Sequence, residues 1–299
     1  MAERTHPPIA IFLVGVIGIA LFSGMDAVMK GLVLAIGTIA TMFWRNLVGV
    51  LLSGAIYLPT RTQWPTREAM RVHLARGLLS TVMGVLFFWG LGRVPLAQAV
   101  ALAFIAPLIA LYLAAVLLHE KVGPRIVGAS LIAFTGVIVI FVGQARADLG
   151  RDAMLGSFAV LASAVCYALN IVVMRHQALI ALPREITFFQ SVIVTLLLGL
   201  LIPFVGVPIP RTGEWPWLIL AALLAITSML LLSWAYARAE ASYLATTEYT
   251  AFLWASLFGW LVFREPLAPL TLAGAALIVC GCVLAARKTE PVRSIPELV

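Results

Sequence analysis

The sequence predicts an all-α polytopic membrane protein, and composition, apolar run length and an internal repeat are the three observations behind that fold class. Of the 299 residues, 63% are hydrophobic and only 11% are charged, and the mean hydropathy is +1.07. A soluble domain lies nearer half apolar and a quarter charged. The apolar residues form solid runs rather than alternating with polar ones, which argues against a transmembrane β-barrel.

Ten apolar runs have the length of a membrane-spanning helix, because a hydrocarbon core of ~30 Å requires about 20 helical residues. Prolines and glycines separate the runs, and the connections between them are too short to hold a soluble domain. The first run has a counterpart in the second half of the chain, so we interpret it as a span and not as a signal peptide. The predicted spans are 9–29, 33–58, 74–92, 95–118, 124–142, 153–174, 185–206, 215–237, 241–263 and 268–286.

A shift of 145 residues superimposes one half of the sequence on the other without a gap. Matches of Trp, Arg, Glu and Pro at a single offset indicate a duplicated five-span unit, at 1–145 and 146–288, followed by a cytoplasmic tail at 289–299. Five is an odd number, so the second unit starts on the opposite side of the membrane and the repeats are inverted. The matched pairs include Trp89 with Trp234, Arg93 with Arg238, Glu120 with Glu265, Pro124 with Pro269, and Gly136 with Gly281.

The basic residues predict the orientation, because cytoplasmic loops are enriched in Lys and Arg. With both termini in the cytoplasm, thirteen basic residues fall inside and six outside, while Arg45 lies within a span. The six are Lys30, Arg93, Arg146, Arg151, Arg211 and Arg264, and the thirteen are Arg4, Arg61, Arg67, Arg71, Arg76, Lys121, Arg125, Arg175, Arg184, Arg238, Arg287, Lys288 and Arg293. This distribution accounts for the net charge of +7 without a nucleic-acid partner.

The stretch GRVPLAQAVALAFIAPLIALYLAAVLLHEKVGPRIVGASLIAFTG carries a proline in the fourth span (Pro107), a glutamate that closes it (Glu120) and a Gly/Ala-rich fifth span. With MFWRNLVG around Arg45, it resembles the ten-span EamA-type members of the drug/metabolite transporter superfamily. The resemblance implies export of amino acids, other metabolites or drugs across the bacterial inner membrane. The aromatic residues are similar to those of the YddG-type aromatic amino-acid exporters. The second half departs from the pattern, with Phe252 opposite Pro107 and Gln190 opposite Arg45.

Several polar and aromatic side chains inside the spans are candidates for the substrate pathway. A cation in the middle of a span costs about 2.5–3.5 kcal/mol, so Arg45 must contact a substrate carboxylate, helix-end carbonyls or an acid. Tyrosine and asparagine side chains can line a polar cavity, and the tryptophans either stack on substrate or pack against neighbouring helices. The candidates are Arg45, Trp89, Tyr167, Asn170, Trp234, Tyr243, Glu248 and Tyr249.

Two carboxylates inside spans are candidates for proton coupling. Glu248 is either a coupling group or half of an ion pair, and Asp26 either couples or pairs with Lys30 four residues later. Glu120 and Glu265 are expected to pair with nearby basic residues or with helix-cap donors. Gly24 and Pro107 are the candidates for a hinge or kink.

The predicted function is secondary export of small metabolites by alternating access, with amino acids first and aromatic or hydrophobic ones as the narrower expectation. The chain has no phosphate-binding loop, HExxH motif, Cys/His cluster or Ser-His-acid set, so we expect no enzyme activity, no cofactor and no metal. The expected partners are a small-molecule substrate and the lipid bilayer, with a monomer or homodimer as the working state. The alternatives are a multidrug or nucleoside exporter, a lipid-modifying membrane enzyme, and a scaffold without transport activity.

Overall fold

The computed structural model shows a bundle of helices joined by short turns. It describes residues 8–60, 64–106, 108–109, 113, 124–146, 150–236 and 247–286. Within these ranges there is no strand, so the all-α class is confirmed. The helices are α1 (Pro8–Ile36), α2 (Thr38–Thr60), α3 (Arg67–Leu91), α4 (Leu96–Ala103), α5 (Pro124–Arg146), α6 (Gly150–Ile180), α7 (Pro183–Gly199), α8 (Ile202–Val205), α9 (Trp215–Tyr236), α10 (Thr250–Phe263) and α11 (Pro269–Ala286).

Five helices are long and apolar enough to cross a membrane. Three shorter apolar helices accompany them, at Val127–Gly143, Thr250–Phe263 and Pro269–Gly281. The fourth and ninth predicted spans lie only partly within the described residues, so the total of ten spans and the side of each terminus stay predictions. The five long spans are Ile9–Ile36, Thr38–Thr60, Arg67–Leu91, Gly150–Asn170 and Trp215–Leu232.

The first helix extends seven residues beyond the predicted end of its span. It ends at Gly37, whose φ of +83° is the left-handed conformation that favours glycine at a helix C-terminus. The Gly37 amide donates to the Val33 carbonyl at 2.9 Å, and the Gly37 carbonyl accepts from the Thr41 hydroxyl at 2.8 Å. The predicted end at residue 29 was wrong because it treated Lys30 as a surface charge, whereas Lys30 is only 3% exposed.

Two contacts where α5 crosses α11 show how the repeats pack. A Cβ atom placed on Gly136 of α5 would lie 2.6 Å from the Gly274 carbonyl oxygen of α11. A Cβ atom placed on Gly281 would lie at the same distance from the Ala129 carbonyl oxygen. Gly281 is the counterpart of Gly136, and Gly274 is the counterpart of Ala129, at the 145-residue offset. The two contacts are therefore one contact related by two-fold pseudosymmetry, and only very small residues permit it.

The same relation holds between α3 and α6 and between α9 and α1. A Cβ atom on Gly90 would lie 2.5 Å from the Gly156 carbonyl oxygen, so α3 and α6 pack with their backbones in contact. The counterparts of these glycines, Ala235 and Ile11, are both buried and pack in one cluster between α9 and α1. The largest buried cluster lies where α4 and α10 meet α5 and α11. The two-repeat architecture thus follows from equivalent helix pairs.

Candidate functional site

The helices α4 and α10 are interrupted at equivalent positions. Residues Phe104 and Ile105 form a turn after α4, and Tyr249 forms a turn before α10. Tyr249 is the counterpart of Phe104, and their rings meet edge to face with centroids 5.7 Å apart and an interplanar angle of 87°. Two equivalent residues can contact each other only at the axis that relates the repeats. The two helix interruptions therefore lie at that axis. At each interruption, some backbone N–H and C=O groups have no partner in the regular helical hydrogen-bonding pattern.

Asp26 of α1 is buried, and Arg45 of α2 is half-buried near it. Each lies well inside its helix, about 15 Å from Ile36 and about 10 Å from Thr38 respectively. Their charges interact, although no hydrogen bond joins them among the described residues. The Asp26 Oδ1 and Arg45 Nε atoms are buried without a hydrogen-bond partner in that part of the chain. Arg45 thus has an acid as its neighbour, one of the expectations set by its position.

Lys30 pairs with Glu265 and not with Asp26, which corrects the expected pairing on α1. The Lys30 ammonium also donates to the Val94 carbonyl at 2.6 Å and lies 5.2 Å from the centroid of the Phe263 ring. The second oxygen of Glu265 accepts from the Leu96 amide at 2.8 Å. Glu265 therefore pairs with a basic residue and also caps α4, as expected for it. Its counterpart Glu120 lies outside the described residues.

A chain of buried polar side chains connects α3, α6 and α7. Arg76 Nη1 donates to Gln177 Oε1 at 2.6 Å, and Arg76 Nε donates to Asn170 Oδ1 at 3.2 Å. The Gln177 amide nitrogen is 2.6 Å from His73 Nδ1, and His73 Nε2 is 2.9 Å from Glu185 Oε1. Since an amide nitrogen can only donate, His73 Nδ1 accepts and Nε2 carries the proton that it donates to Glu185. Along this series of side chains Arg76 donates to Gln177, Gln177 donates to His73, and His73 donates to Glu185.

Four of the predicted pathway residues lie at this polar chain or beside the interruption of α10. Asn170 is buried and serves as an anchor for Arg76. Tyr167, one helical turn earlier on α6, is 44% exposed and lies near both Arg76 and Glu248. Glu248 is exposed and directly precedes the interruption at Tyr249. Tyr167, Asn170, Glu248 and Tyr249 therefore bring the polar chain close to the axis between the repeats.

The remaining predicted residues have other surroundings. The Arg93 guanidinium lies 3.6 Å from the centroid of the Trp89 ring and donates to the Trp89 carbonyl at 2.9 Å, which caps the end of α3. Trp234 packs beside Ile11 and Ala235 at the contact between α9 and α1. At Gly24, α1 continues without interruption, and an added Cβ atom would make ordinary contact with Phe258 at 3.7 Å. Pro107 and Tyr243 lie outside the described residues, so their roles stay predictions.

The prediction missed Arg76, which it counted among the cytoplasmic charges. The span was expected to begin at residue 74, whereas α3 begins at Arg67 after a cap in which Thr66 accepts from the Ala69 amide at 3.1 Å. Arg76 therefore lies about 14 Å inside the helix. A threonine after a proline and before an acidic first turn is a helix-start signal, and it would have placed Arg76 well inside the helix instead of two residues after its start. Among the described residues, no group of His, Cys, Asp or Glu could hold a metal ion.

Comparison with known proteins gives a consistent picture. The sequence matches the model of the EamA-like transporter family twice, over residues 9–142 and 154–287, and both ends are offset by 145 residues. The pseudopaline exporter CntI of Pseudomonas aeruginosa is 26% identical over 279 residues, 92% of this chain and 95% of that protein. A riboflavin transporter of Rhizobium johnstonii is 30% identical over 228 residues, 76% of this chain and 72% of that protein. One crystal structure, 21% identical, covers 95% of this chain with a TM-score of 0.61 and shows the fold alone.

Proposed function

Because this chain belongs to the EamA-like transporter family, we propose that it is a secondary transporter that exports small metabolites across the bacterial inner membrane by alternating access. The family and the named relatives are transporters, and the five long apolar helices make the chain a multi-pass membrane protein. Ten spans in two inverted five-helix repeats, with both termini in the cytoplasm, form part of the proposal. The paired contacts Gly136–Gly274 and Ala129–Gly281 support the two-fold relation that it requires.

The contact between Phe104 and Tyr249 is the observation that carries this proposal. Two helices interrupted at equivalent positions are costly in a bilayer, because each interruption removes helical hydrogen bonds in an apolar medium. Stability of the bundle alone therefore does not account for them. In transporters with inverted repeats, the substrate site lies at the repeat interface and is formed by discontinuous helices. Each repeat also places an acidic residue in a predicted span: Asp26 lies within α1, and Glu248 lies directly before the interruption at Tyr249.

The narrower proposal is that the exported metabolites are amino acids, with aromatic or hydrophobic side chains first. Aromatic rings at the interruption, those of Phe104 and Tyr249 together with the exposed Tyr167, offer faces against which an apolar side chain can stack. Glu248 beside them offers a carboxylate for an ammonium group. The substrates named for the two relatives, pseudopaline and riboflavin, are small metabolites but are not taken over for this chain.

Coupling to protons is proposed to act at Glu248 or Asp26. Carboxylates inside membrane spans are rare and are concentrated along ion and proton pathways. Asp26 is buried near Arg45, and Glu248 is exposed beside the interruption, so Glu248 is the better placed of the two carboxylates to exchange a proton with water. If neither residue couples, the protein is a facilitator.

Transport by the purified protein in proteoliposomes tests this proposal. Vesicles are loaded with a panel of radiolabelled amino acids and with riboflavin, with and without an imposed pH gradient, and protein-free vesicles serve as the control. The proposal predicts saturable flux of at least one amino acid that other amino acids compete for. Flux of riboflavin alone would support the transport activity and contradict amino acids as the substrates. No flux of any compound would contradict metabolite export.

A further inference from the structure

The guanidinium group of Arg76 is buried, and no acidic side chain of the described residues forms a hydrogen bond or an ion pair with it. Arg76 is only 6% exposed, and its hydrogen bonds run to the neutral amide oxygens of Gln177 and Asn170. Its Nη2 atom makes no hydrogen bond within the described ranges. Glu185 is the acid at the far end of the polar chain, and Gln177 and His73 separate it from Arg76. A buried cation is costly unless an anion or water compensates it, so this position is suited to an anion supplied from outside the protein.

The equivalent helix contact in the other repeat shows whether the fold requires these polar residues. The contact between α9 and α1 is equivalent to the contact between α3 and α6, and it uses buried apolar residues at the same positions. The fold therefore does not need a polar chain to hold these helices together, and apolar side chains generally serve a buried contact at least as well as charged ones. The counterparts are Leu218 for His73, Ala221 for Arg76, Met25 for Asn170 and Leu32 for Gln177.

The surroundings of Arg76 show where such an anion would bind. Tyr167 lies one helical turn from Asn170 on the same face of α6, is partly exposed, and is near both Arg76 and Glu248. A ligand beside Tyr167 is thus within reach of a cation and an anion. An α-amino acid carries the complementary charges, a carboxylate and an ammonium group. A guanidinium with free N–H groups matches a carboxylate in geometry as well as in charge.

We propose that Arg76 binds the substrate carboxylate, so that this transporter selects metabolites that carry an acidic group. Gln177 and Asn170 are positioning residues, because they hold two edges of the guanidinium and leave Nη2 for the ligand. His73 and Glu185 fix the orientation of the Gln177 amide: Glu185 accepts from His73 Nε2, which leaves Nδ1 as the acceptor for the Gln177 amide nitrogen. This inference rests on the proposed function, and it adds a residue and a substrate class to it.

Binding of matched acids and amides to the purified protein tests the proposal. The probes are L-phenylalanine and L-leucine against L-phenylalaninamide and L-leucinamide, which keep the side chain and the ammonium group but lack the carboxylate. Binding is measured by thermal stabilisation in detergent over a range of ligand concentrations. The proposal predicts that at least one acid binds the wild-type protein at least tenfold more tightly than its amide. Equal binding of each acid and its amide, or no binding of either acid, would overturn it.

Variants of Arg76 separate the subsite from the fold. In Arg76→Gln the preference for the acid over the amide is expected to disappear, and in Arg76→Lys it is expected to weaken. Arg71→Gln, an exposed arginine five residues earlier on α3, is the matched control and is expected to leave the preference unchanged. A full preference retained in Arg76→Gln would overturn the proposal.

A triple variant guards against a failure to fold. His73→Leu, Arg76→Ala and Gln177→Leu together reproduce three of the four side chains that the other repeat uses at this contact, and Asn170 is retained. This variant is expected to stay folded and monodisperse and to lose acid binding. Aggregation of the triple variant, or retained acid preference in it, would show that the polar chain has another purpose. If the wild-type protein carries riboflavin, which has no carboxylate, that flux is expected to be unchanged in Arg76→Gln. Loss of riboflavin flux in this variant would overturn the acid subsite, because Arg76 would then serve transport of a compound without an acidic group.

Discussion

Lys30 and Glu265 are 235 residues apart in the chain and form an ion pair that ties the two repeats together. The same ammonium donates to the Val94 carbonyl at 2.6 Å, and the same carboxylate accepts from the Leu96 amide at 2.8 Å. The pair therefore joins α1, the turn before α4 and the loop after α10 at one end of the bundle. An alternating-access carrier must separate its repeats at each end in turn, so this contact is expected to break when that end opens.

Removing the acid of this pair is expected to destabilise the protein. In Glu265→Gln the buried Lys30 loses its counter-charge, which is expected to lower the free energy of unfolding by about 2–3 kcal/mol, since Glu265 is partly exposed. The melting temperature in detergent measures the change. Glu214→Gln, whose carboxylate accepts from the Arg211 amide in an exposed loop, is the control and is expected to melt like the wild type. The double variant Lys30→Met/Glu265→Gln is expected to recover stability, and a melting temperature for Glu265→Gln equal to that of the wild type would contradict the role of the pair.

Asp26 and Arg45 are expected to be energetically coupled. A double-mutant cycle with Asp26→Asn and Arg45→Gln is expected to give a coupling free energy of about 1–3 kcal/mol, because each single change removes the nearby opposite charge of the other residue. Thermal or denaturant unfolding in detergent provides the four stabilities. Asp26 and the exposed Arg71 give the matched cycle, in which the two effects are expected to add. Additive effects for Asp26 and Arg45 would mean that each charge is compensated elsewhere.

Glu248 is expected to carry the proton coupling. Glu248→Gln is expected to abolish the dependence of flux on the pH gradient and to retain exchange of substrate down its own gradient, because the amide cannot take up a proton. Flux into proteoliposomes with the gradient imposed and collapsed measures both properties. Asp26→Asn tests the second candidate, and Glu68→Gln, an exposed residue in the first turn of α3, is the control. Unchanged gradient dependence in both the Glu248 and the Asp26 variants would rule out carboxylate coupling.

The glycine contact between α5 and α11 is expected to tolerate no added side chain. In Gly281→Ala the new Cβ atom would lie 2.6 Å from the Ala129 carbonyl oxygen, and the helices have to move apart at a cost of about 1–3 kcal/mol. Gly128→Ala is the matched control on α5, because no atom lies within 4 Å of its added Cβ position. The melting temperature is expected to fall only for Gly281→Ala. A similar change in melting temperature for both substitutions would contradict a close contact between α5 and α11 at Gly281.

The repeat was predictable from the sequence, because a duplication preserves the spacing of its rare residues. Trp89, Arg93 and Glu120 recur 145 residues later at Trp234, Arg238 and Glu265, and the two family matches have the same offset. Apolar run length likewise located the long helices to within a few residues at most ends. Both signals are local or periodic, so one sequence is sufficient to read them.

The partners of buried charges were not predictable in the same way. Lys30 was expected to pair with Asp26 because i,i+4 neighbours on a helix are visible in the sequence, while Glu265 approaches it only through the packing of α1 against α10. Arg76 was missed because a cation near the end of an apolar run is taken as a loop residue unless the helix cap before it is recognised. Tertiary contacts decided the burial of each of these charges, and a hydropathy profile contains no information about them.

Counterflow in proteoliposomes tests the central claim, alternating access around the Phe104–Tyr249 contact, most directly. An amino acid that shows saturable flux in the panel is supplied as labelled substrate outside vesicles that contain either the same unlabelled amino acid or none. An alternating-access carrier returns faster when it is loaded, so internal substrate is predicted to accelerate the initial uptake several-fold, with saturation on both sides. Uptake that rises linearly with concentration and does not respond to internal substrate would indicate a pore, and would contradict alternating access between two inverted repeats.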